Sequence, residues 1–178
     1  MKINFQALKS IYFHEMDRFR RTLTQSLLSP VLTTSLYFIV FGSVIGGYVE
    51  KIDGISYGSY IVPGLLMLTL LTQSISNTSF GIFFPKFNGT IYEILAAPIS
   101  TFEVVLAFVG AGATKTLIVS IVIFITSLFF VDVQVKYPLL MIFLLILVAF
   151  TFALFGFLIG LMSSDFEQMS IIPTLFIT

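Results

Sequence analysis

Few side chains in this sequence could do chemistry. His14 is the single histidine and there is no cysteine, so thiolate zinc sites, disulfides and cysteine nucleophiles are excluded. His14 therefore reads as an ordinary residue on the polar face of a helix. No GxxxxGK[ST] phosphate loop occurs, so nothing in the chain could cradle ATP phosphates. No nucleophile–base pair is visible, and no catalytic residue, cofactor or metal ligand is assigned. Two features remain. Thr69, Thr72, Gln73, Ser76 and Ser79 recur on one side of a helix inside an uncharged stretch, with Asn77 near the margin, as side chains that hydrogen-bond between helices do. Lys115 is a lone charge in an apolar run, costly at mid-membrane and tolerable near the headgroups. That run is longer than a bilayer requires, so Lys115 is expected to snorkel towards one surface. Asn77-Thr78-Ser79 and Asn88-Gly89-Thr90 match the glycosylation pattern, but one falls in a span and the other on the cytoplasmic side.

The elements that carry these residues follow from composition. Of 178 residues 57% are hydrophobic and only 10% charged, and the mean hydropathy is +1.05; an ordinary soluble domain carries about 25% charged residues. There is too little charge to coat a soluble surface. Nine Lys and Arg balance nine Asp and Glu, which points to no nucleic-acid partner. The expected fold is an all-α integral membrane protein, a polytopic helix bundle formed by a single transmembrane domain over residues 1–178. Phe5, Leu8, Tyr12, Met16, Phe19 and Leu23 recur at steps of three or four opposite Gln6, Ser10, His14, Asp17, Arg18 and Arg21, so residues 1–25 form an amphipathic helix suited to the membrane interface. That segment does not read as a signal peptide. Residues 30–48, 57–84, 104–131 and 139–162 are apolar runs near or above the roughly 20 residues that cross a bilayer. Pro63-Gly64 should loosen the start of the second run. Residues 85–103 break the pattern with Pro85, Lys86, Asn88, Gly89, Glu93, Pro98 and Glu103, and fit a short amphipathic helix bracketed by prolines. A fifth apolar run begins over residues 170–178. Gly42 with Gly46 and Gly156 with Gly160 are small-xxx-small pairs, suited to close helix packing or to a dimer contact.

Orientation follows from basic residues near the span ends. Lys2, Lys9, Arg18, Arg20, Arg21, Lys86 and Lys115 gather at one side, and only Lys51 and Lys136 at the other. The N-terminus and residues 85–103 are therefore expected in the cytoplasm, with the loops near residues 50 and 135 outside.

Three strings then resemble the membrane subunit of an ATP-binding cassette (ABC) exporter of the type-2 permease family. They are SPVLTTSLYFIVFG (29–42), YIVPGLL (60–66) and NGTIYEILAAPIS (88–100), the last being the most specific. The resemblance covers essentially the whole chain. Members normally have six spans, so four spans and the start of a fifth look like about two thirds of such a subunit. The resemblance implies a permease without its own ATPase site, partnered by a separate ABC ATPase subunit that binds ATP and Mg, by a second copy of the permease, and by the lipid of a bacterial inner membrane. It implies that Gly89, Thr90, Ile91, Tyr92, Glu93, Ile94, Leu95 and Pro98 form a coupling helix that contacts the ATPase. Ile91, Tyr92, Ile94 and Leu95 would be its apolar anchors and Glu93 would face a basic group. Arg18, Phe19, Arg20 and Arg21 would contact the ATPase or anchor the first helix to the membrane. Thr69, Thr72, Gln73, Ser76 and Ser79 would line the translocation path or serve as packing glue. Transport would run outward by alternating access. The rival reading is a secondary transporter or channel needing no ATPase, which intramembrane carboxylates would favour; every Asp and Glu here falls in a loop, a polar break or the amphipathic segment.

Overall fold

The computed structural model describes residues 4–45, 51–52, 55–133 and 135–177. Expectations that touch residues 1–3, Gly46, the end of the first span at 46–48, the polar loop at Glu50, Asp53 and Gly54, and Thr178 lie outside the described residues. The chain is an all-α polytopic bundle. Its helices are α1 (Phe5–Arg21), α2 (Leu23–Tyr37), which continues as a wider π-type helix over Phe38–Ile45, α3 (Tyr57–Phe87), α4 (Ile91–Ala96), α5 (Thr101–Leu128), α6 (Pro138–Met162) and α7 (Phe166–Ile177). Before α3 the short strands β1 (Lys51–Ile52) and β2 (Ile55–Ser56) pair antiparallel. Among the described residues, four helical stretches are long and apolar enough to cross a membrane: Leu23–Phe41, Tyr57–Phe87, Thr101–Leu128 and Pro138–Met162.

Helix boundaries follow local chemistry, and two prolines placed at expected boundaries, Pro30 at the start of the first span and Pro85 after the second, do not interrupt their helices. Pro30 lies inside α2, which starts at Leu23, and Pro85 lies inside α3, which runs on to Phe87. A proline removes one backbone hydrogen bond without requiring the chain to leave the helix, and packing decides whether it continues. The true stop is Gly89, whose φ of +78° only glycine adopts without strain. Its N–H donates to the Lys86 carbonyl, and that of Asn88 to Phe84. Helix α5 opens with a capping box: Ser100 Oγ accepts from the Glu103 N–H, and the Glu103 carboxylate accepts from the Ser100 N–H at 2.8 Å.

The core lies between α3, α5 and α6, where Leu70, Ile82, Val104, Phe108, Val109, Ala113, Ala149, Ala153 and Phe157 are buried together. Small residues bring α6 against α3. A Cβ added at Gly156 would stand 2.5 Å from the Ile75 carbonyl oxygen, and one at Gly160 2.5 Å from that of Ser79. This glycine pair is thus spent on packing within the chain. Ser74 Oγ adds a hydrogen bond across the same contact to the Ala149 carbonyl at 3.0 Å.

Candidate functional site

The end of the bundle where α3 stops, α4 turns and α5 starts gathers most of the polar chemistry. Helix α4 is two-faced. Ile91 and Ile94, with Ile99 beyond the helix, pack against the core, whereas Tyr92 is 73% exposed, Leu95 67% exposed and Glu93 lies on the surface with them. Gly89 breaks the preceding helix and Pro98 follows the turn, so the short segment is held at both ends and presents Tyr92, Glu93 and Leu95 outwards. Two large apolar side chains left in the open beside a carboxylate are suited to docking, since their transfer from water is favourable when a groove covers them. Near this end, Lys86 Nζ donates to the carbonyls of Leu161 at 2.7 Å and Ser163 at 2.8 Å, placing a cation at the C-terminus of α6.

Helix α1 is packed lengthwise on α5, in parallel. The order of contacts shows it: the Asn4 N–H donates to Glu103 Oε1 at 2.6 Å, Tyr12 Oη to Thr114 Oγ1 at 3.0 Å, and Phe19 is buried against Val119 and Ile123. Much of the apolar stripe of this helix is therefore spent on protein. Between Tyr12 and Phe19 lies the feature that the sequence reading missed. Lys115 is 3% exposed and Glu15 2% exposed, and Lys115 Nζ meets Glu15 Oε2 at 2.7 Å. Arg18 Nη2 reaches the same oxygen at 2.8 Å and its guanidinium lies over the ring of Phe80, 5.9 Å from the centroid. Lys115 thus does not snorkel: a carboxylate supplied by α1 neutralises it inside the structure.

Of the arginine cluster, Arg18 is tied to Glu15, Arg20 and Arg21 are exposed, and Phe19, expected with them at a partner surface, is turned into the protein. The cluster is also remote from α4. Val119 and Thr101 are about 27 Å apart along α5 at 1.5 Å per residue, so the two expected contact sets do not form one patch. The polar set of α3 divides as well. Thr69 and Thr72 donate to the carbonyls of Leu65 and Leu68 on their own helix, Gln73 accepts from Asn77 at 3.4 Å, Ser76 is exposed, and Ser79 is buried against α6. The bridge between α3 and α5 comes instead from Asn77, which donates to Thr116 Oγ1 at 3.4 Å. Thr69, Thr72, Gln73 and Ser76 stay together on a partly open face.

Glu15 carries a signal in the sequence. It occupies a position on the apolar stripe between Tyr12 and Phe19, where a carboxylate must have a partner, and the one isolated lysine of the spans is the matching cation. Glu103 is marked by the Ser-x-x-Glu pattern from Ser100. No group of three or more His, Cys, Asp or Glu able to hold a metal is found among the described residues.

The model of the ABC-2 type transporter family matches residues 6–178. Curated relatives agree with it. The inner membrane transport permease YadH of Escherichia coli K12 is 39% identical over 178 residues, covering 100% of this chain and 70% of that protein. The YadH permeases of Escherichia coli O157:H7 and Shigella flexneri match with the same identity and coverage. No solved structure matches.

Proposed function

Because the chain belongs to the ABC-2 type transporter family and is a multi-pass membrane permease subunit, we propose that it exports its substrate from the cytoplasmic side, driven by a separate ABC ATPase that docks on α4. The observation that carries this reading is the outward face of α4, with Tyr92 and Leu95 exposed around Glu93 while Ile91 and Ile94 root the helix in the core. Its position supports the same reading. Helix α3 is 31 residues long, about 46 Å, against roughly 30 Å of hydrocarbon. The helix thus exceeds the hydrocarbon, and its end bearing α4 lies on the side where Lys86 and the start of α1 place basic residues, the cytoplasm by the positive-inside rule.

ATP and Mg belong to the partner in this scheme. ATP binding draws two ATPase subunits together beneath a dimer of permeases, and α4 passes the motion to α3 and α5, between which it is inserted. Thr69, Thr72, Gln73 and Ser76 line the route on the open face of α3, and Ser79 serves as packing. Arg20 and Arg21, exposed just ahead of α2 and the first span, serve as anchors at the membrane surface. The buried carboxylates speak against an ion-coupled transporter, because Glu15 is held by Lys115 and Arg18, and Glu103 by Asn4 and Ser100. The test is co-purification with an ABC ATPase subunit co-expressed from the same genome. Wild-type chain should retain it, and Tyr92→Ser with Leu95→Ser should weaken the association by at least about 2 kcal/mol, roughly thirtyfold in Kd. Undiminished binding by the double variant would remove α4 from the interface.

A further inference from the structure

We infer that Glu15 and Lys115 form a latch that makes α1 and the cytoplasmic half of α5 one lever, so that α1 does not slide or part from α5 while the ATPase works. This rests on the ATPase partnership proposed above. Three polar ties join the two helices at successive levels: Asn4 to Glu103, Tyr12 to Thr114, and Glu15 to Lys115. The first lies beside the end of the α4 loop, because the Glu103 carboxylate that accepts from Asn4 also accepts from the Ser100 N–H. Displacement of that loop therefore pulls on α1 and α5 together. The third tie resists sliding. Lys115 and Glu15 are both buried, so a shift of one helical turn would leave Lys115 in a dry interface without a counter-ion while Glu15 kept only Arg18 of its own helix, an arrangement the low dielectric penalises. Helix α3 closes the site from its side: Gly81 leaves room for the carboxylate, with a Cβ there falling 3.3 Å from Glu15 Oε2, and Phe80 lies under Arg18.

A buried ion pair is a poor source of net stability, and apolar side chains of similar volume could fill the same space. What the pair adds is a single register between α1 and α5. Glu15 and Lys115 are positioning residues in this sense; they act on transport through the helices they align.

The chain has no cysteine, so spin labels can be placed on Phe5→Cys and Ile121→Cys, exposed positions on α1 and α5. The complex with its ATPase in lipid nanodiscs is measured without nucleotide and after trapping with MgATP and orthovanadate. In the otherwise wild-type chain the latch predicts one narrow distance, the same in both states. With Glu15→Leu and Lys115→Met added, the distance should broaden and shift on trapping, and the effect of the permease on the ATPase rate should be lost while the ATPase remains bound. A wild-type distance that changes by about one helical turn, 5.4 Å, would overturn the latch without any variant being made. So would a double variant that keeps both the narrow distance and the full effect on the ATPase. If the ATPase does not co-purify with the wild-type chain, the proposed function fails and the latch fails with it; a bound ATPase with either of the preceding results defeats the latch alone.

Discussion

Glu15 serves two cations with one oxygen, and the two are not equivalent. Lys115 is buried, whereas the Arg18 side chain is 29% exposed. Glu15→Gln leaves Lys115 as an uncompensated charge, and removing one partner of a buried pair costs about 3–5 kcal/mol. Lys115→Met leaves Glu15 still paired with Arg18, so its cost should be distinctly smaller. The thermal midpoint of the purified chain in detergent should fall further for Glu15→Gln than for Lys115→Met. The reverse order would mean that Arg18 does not neutralise the carboxylate. Lys115 is conspicuous in the sequence as the single charge of its run, but its partner lies 100 positions away, and helical periodicity carries no information about which helix lies beside which. The stripe of α1 shows where Glu15 points without showing what it meets. Gly89 and Pro98 were legible as brackets because each acts through its own backbone, with no distant neighbour required.

At the scale of the element, hydropathy locates the four long helices, since the roughly 20 apolar residues of a span form a local signal. Their ends are less legible. Pro30 looks like the start of a span and Pro85 like a break after one, yet each sits inside a helix that packing continues on both sides. Contacts between helices depend on small residues. Gly156→Ala would place a methyl 2.5 Å from the Ile75 carbonyl oxygen and 2.8 Å from its Cα, both backbone atoms that cannot rotate away. Helices α3 and α6 would have to separate, at about 1–3 kcal/mol by analogy with overpacked cores, readable as a lower unfolding midpoint. Gly64→Ala, with nothing within 4 Å of the added Cβ, should leave the midpoint where it is or raise it slightly, because alanine is the better helix former. Equal effects at the two sites would contradict the close approach of α6. Lys86→Met should also loosen one end of this pair, at about 1 kcal/mol, by withdrawing a cation from the carbonyl end of α6.

At the scale of the whole molecule the deciding quantity is the placement of charge, not its sum, which is zero. Basic residues resist translocation across the membrane, so the end that holds most of them is expected on the cytoplasmic side. Lys2, Lys9, Arg18, Arg20 and Arg21 precede the first span, Lys86 ends α3 beside α4 and Lys115 is buried in α5, whereas only Lys51 and Lys136 fall in the loops of the other end. Both the proposed docking role of α4 and the proposed anchoring role of Arg20 and Arg21 depend on that orientation. It can be tested apart from any ATPase, because the absence of native cysteine lets a single introduced thiol report its own side. Tyr92→Cys and Lys136→Cys suit the purpose, Tyr92 being exposed on α4 and Lys136 lying in the loop before α6. A membrane-impermeant maleimide added to intact spheroplasts should label Lys136→Cys and spare Tyr92→Cys. In inverted vesicles the pattern should exchange. Labelling of Tyr92→Cys from outside would put α4 on the face where no ATP is available, and neither the coupling role nor the latch could then stand.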